Sequence, residues 1–501
     1  MEEGVSLLLK CVFFYVKKGN DKMYDVAIIG AGVIGALTAR ELSRYNLKCV
    51  VLEKENDVAM GTSKANSAIV HAGFDAKEGS KKAYFNVKGS EMMEKVASEL
   101  GVKYIRNGSL VLAFDDDDMK TVEELYGRGV KNGVKGLFIL NREELLKVEP
   151  NIGDDAVGAL HATTGAIICP YGLAIAAMGN AMDNGCELKT NFPVKNIEKG
   201  EGKYILSSEN ETVEATFVVN AAGLFADELN KKLEDSHFST HPRKGEYFVM
   251  DKAQGSLVKS TVFVTPSAKG KGILVSPTVD GNLLLGPTAD DIEDKTDIET
   301  TDEGAAKIRS QAMRSVKGID MRKVITSFAG LRAVGNTGDF EITAKDNYVA
   351  AMGIESPGLS ASPAIAEHIA ELLFGMGLKK EKNKDFNPVR RPMDFFKALS
   401  KDEKNALIKE RPSYGRIVCR CEEITEGEII DALTLNPKAK DLDGVKRRTR
   451  SGMGRCQGGF CSPSVTELIA KISGVAYEDV TKTGEGSGIN FERTKGGVKN
   501  A

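Results

Sequence analysis

The residues best spaced for chemistry in this 501-residue chain are four cysteines near its C-terminal end, Cys419-x-Cys421 and Cys456-x4-Cys461. Thiolates placed this way can hold iron or zinc. Gly452, Gly454, Gly458 and Gly459 surround the second pair, with Gly444 upstream. Such a wrap lets backbone N–H groups approach the sulfurs and tune a redox centre. Structural zinc favours wider knuckles than Cys-x-Cys, yet spacing alone leaves both metals open. Near the other end, Asp25-Val-Ala-Ile-Ile-Gly30-Ala-Gly32-Val-Ile-Gly35 reads as a dinucleotide-binding turn. Its acid, Glu53, stands 18 residues beyond Gly35. It can accept hydrogen bonds from a ribose while the helix N-terminus receives the pyrophosphate. A cluster moves single electrons, a nicotinamide delivers a hydride pair, and a flavin handles both. If the cysteines hold a cluster, FAD is the more compatible dinucleotide, and the two sites together imply an electron-transfer enzyme. Lys438, Lys440, Lys446, Arg447, Arg448, Arg450 and Arg455 lie between the cysteine pairs. They would favour a reduced, anionic cluster and could dock an acidic redox partner; a solvated surface is the plainer alternative.

These residues need elements to position them. Tyr24 to Gly30 is a buried-strand run, Ala31 to Tyr45 an amphipathic helix and Cys49 to Glu53 a second strand, a β-α-β unit. Helical patterns cover 81–100, 116–132 and 171–184, and Leu137 to Leu140 is extended. Strand-rich stretches run over 240–251 and 260–285, separated by proline and glycine turns. Glu214 to Asn220 is a strand leading into Ala221-Ala222-Gly223, which suits a second close approach of backbone to the dinucleotide. From Asn347 to Phe374 the pattern is strand, glycine turn, helix. The turn at Gly358 puts a helix N-terminus where a carbonyl or anion can be held. Lys379 to Lys409 is charged and punctuated by Pro388 and Pro392.

The expected fold class is α/β: an FAD-binding Rossmann-like domain, a discontinuous α+β substrate domain and a small C-terminal cysteine-cluster domain. We expect an N-terminal extension at 1–22 and the oxidoreductase over 23–375. Its FAD-binding pieces are about 23–80, 150–225 and 326–375, and its substrate-domain pieces about 81–149 and 226–325. A linker follows at 376–410, the cysteine module at 411–480 and a flexible tail at 481–501.

With 42% hydrophobic and 28% charged residues and a net charge of −3, the composition is that of a soluble globular protein without support for nucleic-acid binding. Cys11, Cys49, Cys169 and Cys186 are scattered, which fits a reducing cytoplasm better than a disulfide framework. The apolar run Val5 to Val16 is interrupted by Lys10 and falls short of the roughly 20 residues that span a bilayer. It reads as an extension upstream of a natural start at Met23, with peripheral membrane contact as the alternative.

The N-terminal 375 residues resemble the FAD-dependent D-amino-acid-oxidase and glycerol-3-phosphate-dehydrogenase superfamily. Five stretches carry the resemblance: Gly61-Thr-Ser-Lys-Ala-Asn-Ser-Ala-Ile-Val-His71-Ala-Gly73, Arg243-Lys-Gly-Glu-Tyr247, Gly272-Ile-Leu-Val-Ser-Pro-Thr278, Phe328-Ala-Gly-Leu-Arg332 and Ser356-Pro-Gly-Leu-Ser360. Gly452-Met-Gly-Arg-Cys-Gln-Gly-Gly-Phe-Cys461 resembles the bacterioferritin-associated-ferredoxin type of [2Fe-2S] domain. The resemblance implies non-covalent FAD, with Gly30, Gly32, Gly35 and Glu53 at the pyrophosphate and ribose. Thr62 and Ser63 would touch the pyrophosphate, Val194 the adenine, and Gly223 would make the second glycine approach. Gly358, Leu359 and Ser360 would lie under the flavin ring. Cys419, Cys421, Cys456 and Cys461 would ligate the cluster. Arg332 would hold a small anionic substrate and His71 would take its hydroxyl proton; Lys244 and Tyr247 are weaker substrate-side candidates. The activity implied is oxidation of glycerol 3-phosphate, electrons leaving through the cluster to a redox partner subunit or quinone. Such a chain would work as an oligomer or hetero-complex, in the cytoplasm or against the inner face of the membrane. A 2-hydroxy acid such as L-2-hydroxyglutarate is the alternative substrate, an amine a third, and a zinc-bound docking domain the alternative reading of the cysteines.

Overall fold

The computed structural model describes residues 23–233, 236–266 and 272–491. The expected N-terminal extension, Cys11 with it, and residues 492–501 of the expected tail lie outside the described residues. The β-α-β unit is present: strand Met23–Ile29, helix Val33–Leu42, strand Cys49–Leu52. Its strands read as unbroken apolar runs because both faces are covered. They sit centrally in an eight-stranded sheet, with Thr212–Asn220 parallel to Met23–Ile29 and Glu187–Lys189 parallel to Cys49–Leu52. Tyr348–Met352 pairs in parallel with the end of Thr212–Asn220, extending the carboxyl edge where ligands of such sheets bind. The helices Val33–Leu42, Pro170–Asp183 and Gly358–Gly375 pack one apolar core with the sheet, and Lys81–Glu99 crosses Gly358–Gly375. That crossing is close: a Cβ on Gly89 would stand 2.3 Å from the Ser360 carbonyl oxygen.

A nine-stranded sheet forms the second layer. Thr240–Met250 pairs antiparallel with Val324–Gly335 along its length and with Leu283–Gly286. The sheet continues through Leu274–Pro277 and Thr261–Val264 to Ser109–Ala113, Gly158–Ala162 and Leu137–Asn141. Gly158–Ala162 and most of Val324–Gly335 lie in stretches the sequence reading gave to the FAD-binding pieces, so the two layers interlace more often than expected. Neither strand announces its sheet, because both are apolar enough for either core.

The cysteine module is a hairpin, Ile417–Cys419 with Ile424–Thr425, and helices Glu426–Thr434, Leu442–Thr449 and Ser462–Ser473 around their own small core. The expected linker is more than bare chain. It contains helix Lys401–Glu410, started by a capping box of Ser400 and Glu403, a Ser-x-x-Glu signal that the charge of the stretch had masked. Among the described residues no helix is long and apolar enough to cross a membrane.

Candidate functional site

The glycines of the first turn are used for contact. Gly30 has φ +97° and its Cβ would lie 2.6 Å from the Ala221 carbonyl oxygen, while a Cβ on Gly35 would lie 1.9 Å from the Gly30 carbonyl oxygen. Strand, helix and the Ala221–Gly223 turn therefore meet with room for backbone only. Glu53, 7% exposed, accepts from the Ala31 N–H at 2.7 Å and the Glu55 N–H at 3.0 Å. Burial pushes its carboxyl up, and the two amides oppose the shift. Phe192 donates its N–H to the Glu53 carbonyl at 2.8 Å, which ties the segment carrying Val194 to the end of the second strand, although Val194 itself does not line the cavity described below. Ser63 Oγ accepts from the Val33 N–H at 2.9 Å, at the opening of the helix where a phosphate would sit. Thr62 Oγ1 donates to the Leu331 carbonyl at 2.6 Å, tying this loop to the strand that carries Arg332.

A cavity of about 800 Å³ runs from this turn into the second sheet. Gly32, Thr62, Ser63, Gly223, Gly358, Leu359, His71, Tyr247 and Arg332 line it, so most candidates from distant parts of the chain converge. Its length along glycine turn, loop and helix N-terminus, with the backbone-only approaches above, fits an FAD. Ser360 is not on the wall. It is fully buried, and its Oγ accepts from the His71 N–H at 2.7 Å and donates to the Ile69 carbonyl at 3.3 Å, fixing the His71 backbone. His71 Nε2 lies 3.4 Å from Ser356 Oγ. Tyr247 is stacked on Phe328 at 4.6 Å and its hydroxyl lies 3.1 Å from Ser67 Oγ. Burial pushes the Tyr247 phenol up, with Arg332 acting against it. Ser67 and Ser356 were not singled out from sequence; serines in a loop carry no periodic signal, and only the fold aims them here.

On the substrate side, Arg243 and Arg332 are cross-strand neighbours. Like charges placed opposite each other repel, so the pair needs anions. Arg243 is satisfied by Asp291 at 2.7 and 3.0 Å. Arg332 donates to the Thr288 carbonyl at 2.8 Å and has no carboxylate within ion-pair distance among the described residues. Lys244 is a correction. Strand alternation turns it to the other face, where its buried ammonium is paired with Asp297 at 2.7 Å, outside the cavity wall. Gly330, two residues before Arg332 on the same strand face, lets the Thr62–Ala65 loop pack against this strand: its Cβ would meet the Ala65 carbonyl oxygen at 1.9 Å.

The four cluster cysteines form two pairs. Cys421 and Cys456 sulfurs lie 3.7 Å apart, and Cys419 and Cys461 are hydrogen-bonded. Two thiolates bound at about 2.3 Å to one tetrahedral ion stand about 3.8 Å apart, so the exposed pair already has the spacing for one metal ion. Among the described residues no three ligand-type side chains converge on one point. Two pairs suit two irons better than four sulfurs around one zinc. Hydrogen bonding from Cys461 holds the Cys419 thiol well below its ordinary range, aided by the Gly452 and Glu422 amides. Burial acts in the opposite sense there. The Phe460 and Gly458 amides reach Cys456, so backbone dipoles are already aimed at the sulfurs.

Part of the basic run between the pairs faces inward: Arg447, Arg448 and Arg450 are bound to the first domain, while Lys438, Lys440 and Arg455 stay exposed. Asp57, in the loop after Glu53, accepts from Arg448 at 2.8 Å through both oxygens and from Arg447 at 2.6 Å, all three side chains buried. Burial would raise the Asp57 carboxyl; the two guanidiniums overcome it and hold it at about 2. Arg450 bridges Asp280 at 2.7 Å and Glu422 at 2.9 Å. The module is thus clamped onto the first domain.

Residues 25–372 match the family model described as FAD dependent oxidoreductase, and residues 417–471 the BFD-like [2Fe-2S] binding domain. The chain is 49% identical over 480 residues to a glycerol 3-phosphate dehydrogenase of Caloramator mitchellensis, covering 95% of this chain and all of that one. It is similar in structure to the FAD-bound L-alpha-glycerophosphate oxidase of Mycoplasma pneumoniae, with a TM-score of 0.70 and 33% identity over 74% of this chain and 99% of that one. Mitochondrial L-2-hydroxyglutarate dehydrogenase of Bos taurus is 30% identical over 54% of this chain and 62% of its own length.

Proposed function

Since the chain belongs to the FAD-dependent oxidoreductase family and carries a BFD-like [2Fe-2S] binding domain, we propose that it oxidises sn-glycerol 3-phosphate to dihydroxyacetone phosphate. The electrons leave through the cluster to a partner protein or quinone. The observation that carries this reading is Arg332, a cation without a carboxylate partner among the described residues, lining the same cavity as His71 and the dinucleotide turn. The full-length similarity to a glycerol 3-phosphate dehydrogenase supports it.

FAD, when bound, supplies a centre that takes a hydride and releases single electrons. The chain does the rest. Arg332 receives the phosphate with its fork of donors, and Arg243 on the neighbouring strand keeps that end of the cavity positive. Tyr247 lines the cavity with its hydroxyl beside Ser67, where it can hydrogen-bond the substrate. His71 Nε2 takes the proton of the secondary hydroxyl, with Ser356 Oγ beside it and Ser360 holding its backbone in place. The N-terminus of the 18-residue helix Gly358–Gly375 opens on the cavity and stabilises negative charge that develops there. In the second domain, Cys419, Cys421, Cys456 and Cys461 would hold the cluster, which would supply a one-electron centre.

A guanidinium serves a carboxylate as well as a phosphate, and L-2-hydroxyglutarate is the second reading, supported by the relatives of that name. Turnover with an artificial dye acceptor separates the two. We expect kcat/KM for glycerol 3-phosphate to exceed that for L-2-hydroxyglutarate by about 10²-fold or more, since a site built around one set of polar groups rejects analogues that leave them unpaired. The reverse order would move the assignment to the hydroxy acid.

A further inference from the structure

The four cluster cysteines differ in their access to solvent. Cys419 and Cys461 are 2% and 3% exposed, whereas Cys421 is exposed and Cys456 half-buried. Each of the two outward cysteines is directly preceded by an exposed arginine, Arg420 and Arg455. The Arg455 side chain is 72% exposed and its partner Asp251 only 12%, so the cationic end of that pair faces out. Arg420 has no ion pair among the described residues, and Glu423 is the exposed carboxylate of the same loop. Phe460 is 88% exposed, more than any other large apolar side chain described. Its own N–H is bonded to Cys456, and it immediately precedes Cys461. None of these three side chains has a part in the chemistry proposed above. A bare aromatic ring on the same cysteine loops as two exposed arginines is the composition of an interface anchor, not of ordinary surface. The module's other side is closed against the first domain, with the Tyr171 hydroxyl on Met453 Sδ at 3.5 Å and Arg450 on Asp280.

We propose that Phe460, together with Arg420 and Arg455, is the docking surface for a small acidic protein that carries one electron at a time. This rests on the electron route proposed above. A quinone would need a concave apolar site, and the cavity described here does not reach these residues. Cations on the rim steer and orient an acidic partner, while the ring supplies the desolvated contact. Each substrate molecule gives up two electrons and two protons. Two oxidised carriers take one electron each in successive dockings, and the protons pass to solvent.

The test uses the holoenzyme with oxidised rubredoxin as the acidic one-electron carrier. Cytochrome c serves as a basic carrier, menadione as a quinone and ferricyanide as a small acceptor. Complex formation between oxidised, substrate-free proteins is measured as Kd against ionic strength, and carrier reduction separately. We expect binding that weakens as salt rises, and Phe460→Ser and Arg420→Glu each raising Kd and lowering kcat/KM for rubredoxin about tenfold or more. Ferricyanide turnover and substrate-driven bleaching of flavin and cluster should stay as in the parent, which shows that the variants are folded and loaded. Phe460→Tyr should retain binding. The proposal is overturned if both variants bind rubredoxin like the parent, if cytochrome c binds better, or if menadione alone is reduced. Failure of the cluster to bleach in the parent would sink the electron route instead, and the Kd series would still judge the docking surface.

Discussion

Replacing Asp57 with asparagine should loosen the cluster module from the flavin domain. The carboxylate answers two guanidiniums that are 7% and 2% exposed, at 2.6 to 2.8 Å. Arg447 Nε already lacks a hydrogen-bond partner, and the amide removes the carboxylate that both buried cations are paired with. Removing one partner from a buried ionic cluster costs about 3–5 kcal/mol, consistent with roughly 4 kcal/mol for unit charges about 4 Å apart at an effective dielectric near 20. That is roughly a 10²- to several-10³-fold shift toward the undocked module. The readout is limited proteolysis of residues 376–410 in the oxidised holoenzyme, with released flavin followed by fluorescence. We expect Asp57→Asn to be cut far faster and to lose flavin sooner, because the Asp57 loop is bonded to the glycine turn through the Ala59 N–H and Ala31 carbonyl at 3.1 Å. The same contact sets a pH limit. The Asp57 carboxyl is held at about 2, below its ordinary value near 3.9. Its contribution is therefore complete above about pH 4 and is lost as pH falls through 2. Cleavage and flavin release unchanged from the parent at neutral pH would refute the reasoning.

Three further outcomes are expected. Arg332→Lys should lower kcat/KM for glycerol 3-phosphate about 10²-fold in dye-linked assays while flavin content is kept, because an ammonium cannot reproduce the planar fork. His71→Asn should lower kcat by about 10²- to 10³-fold with a smaller change in KM, and its loss should shrink as pH rises and hydroxide replaces the missing base. Gly330→Ala should cost several kcal/mol or expel the flavin, since its Cβ would stand 1.9 Å from the Ala65 carbonyl oxygen; absorbance of the purified variant reports flavin per chain.

The first β-α-β unit was readable because a continuous apolar strand, three glycines and Glu53 form one local pattern. Helices Lys81–Glu99, Asp116–Lys131 and Pro170–Asp183 were readable by period. The cysteine module stood out through its glycines. What escaped depends on tertiary placement. Ser67 and Ser356 are ordinary loop residues until the fold brings them to Tyr247 and His71. Lys244 and Arg243 are adjacent in sequence, and only the pleat decides that Arg243 lines the cavity while Lys244 meets Asp297. Arg447 and Arg448 read as surface because one sequence cannot show that a single aspartate, nearly four hundred positions earlier, buries them. The strand Gly158–Ala162 is too short to reveal which sheet it joins.

The most direct test of the account is anaerobic titration of the purified protein with glycerol 3-phosphate, followed by visible absorbance, with L-2-hydroxyglutarate in parallel. The account predicts that glycerol 3-phosphate bleaches the flavin band and then the iron–sulfur absorbance, while the hydroxy acid leaves both intact. An unreduced flavin in the presence of glycerol 3-phosphate, or bleaching by the hydroxy acid alone, would contradict it.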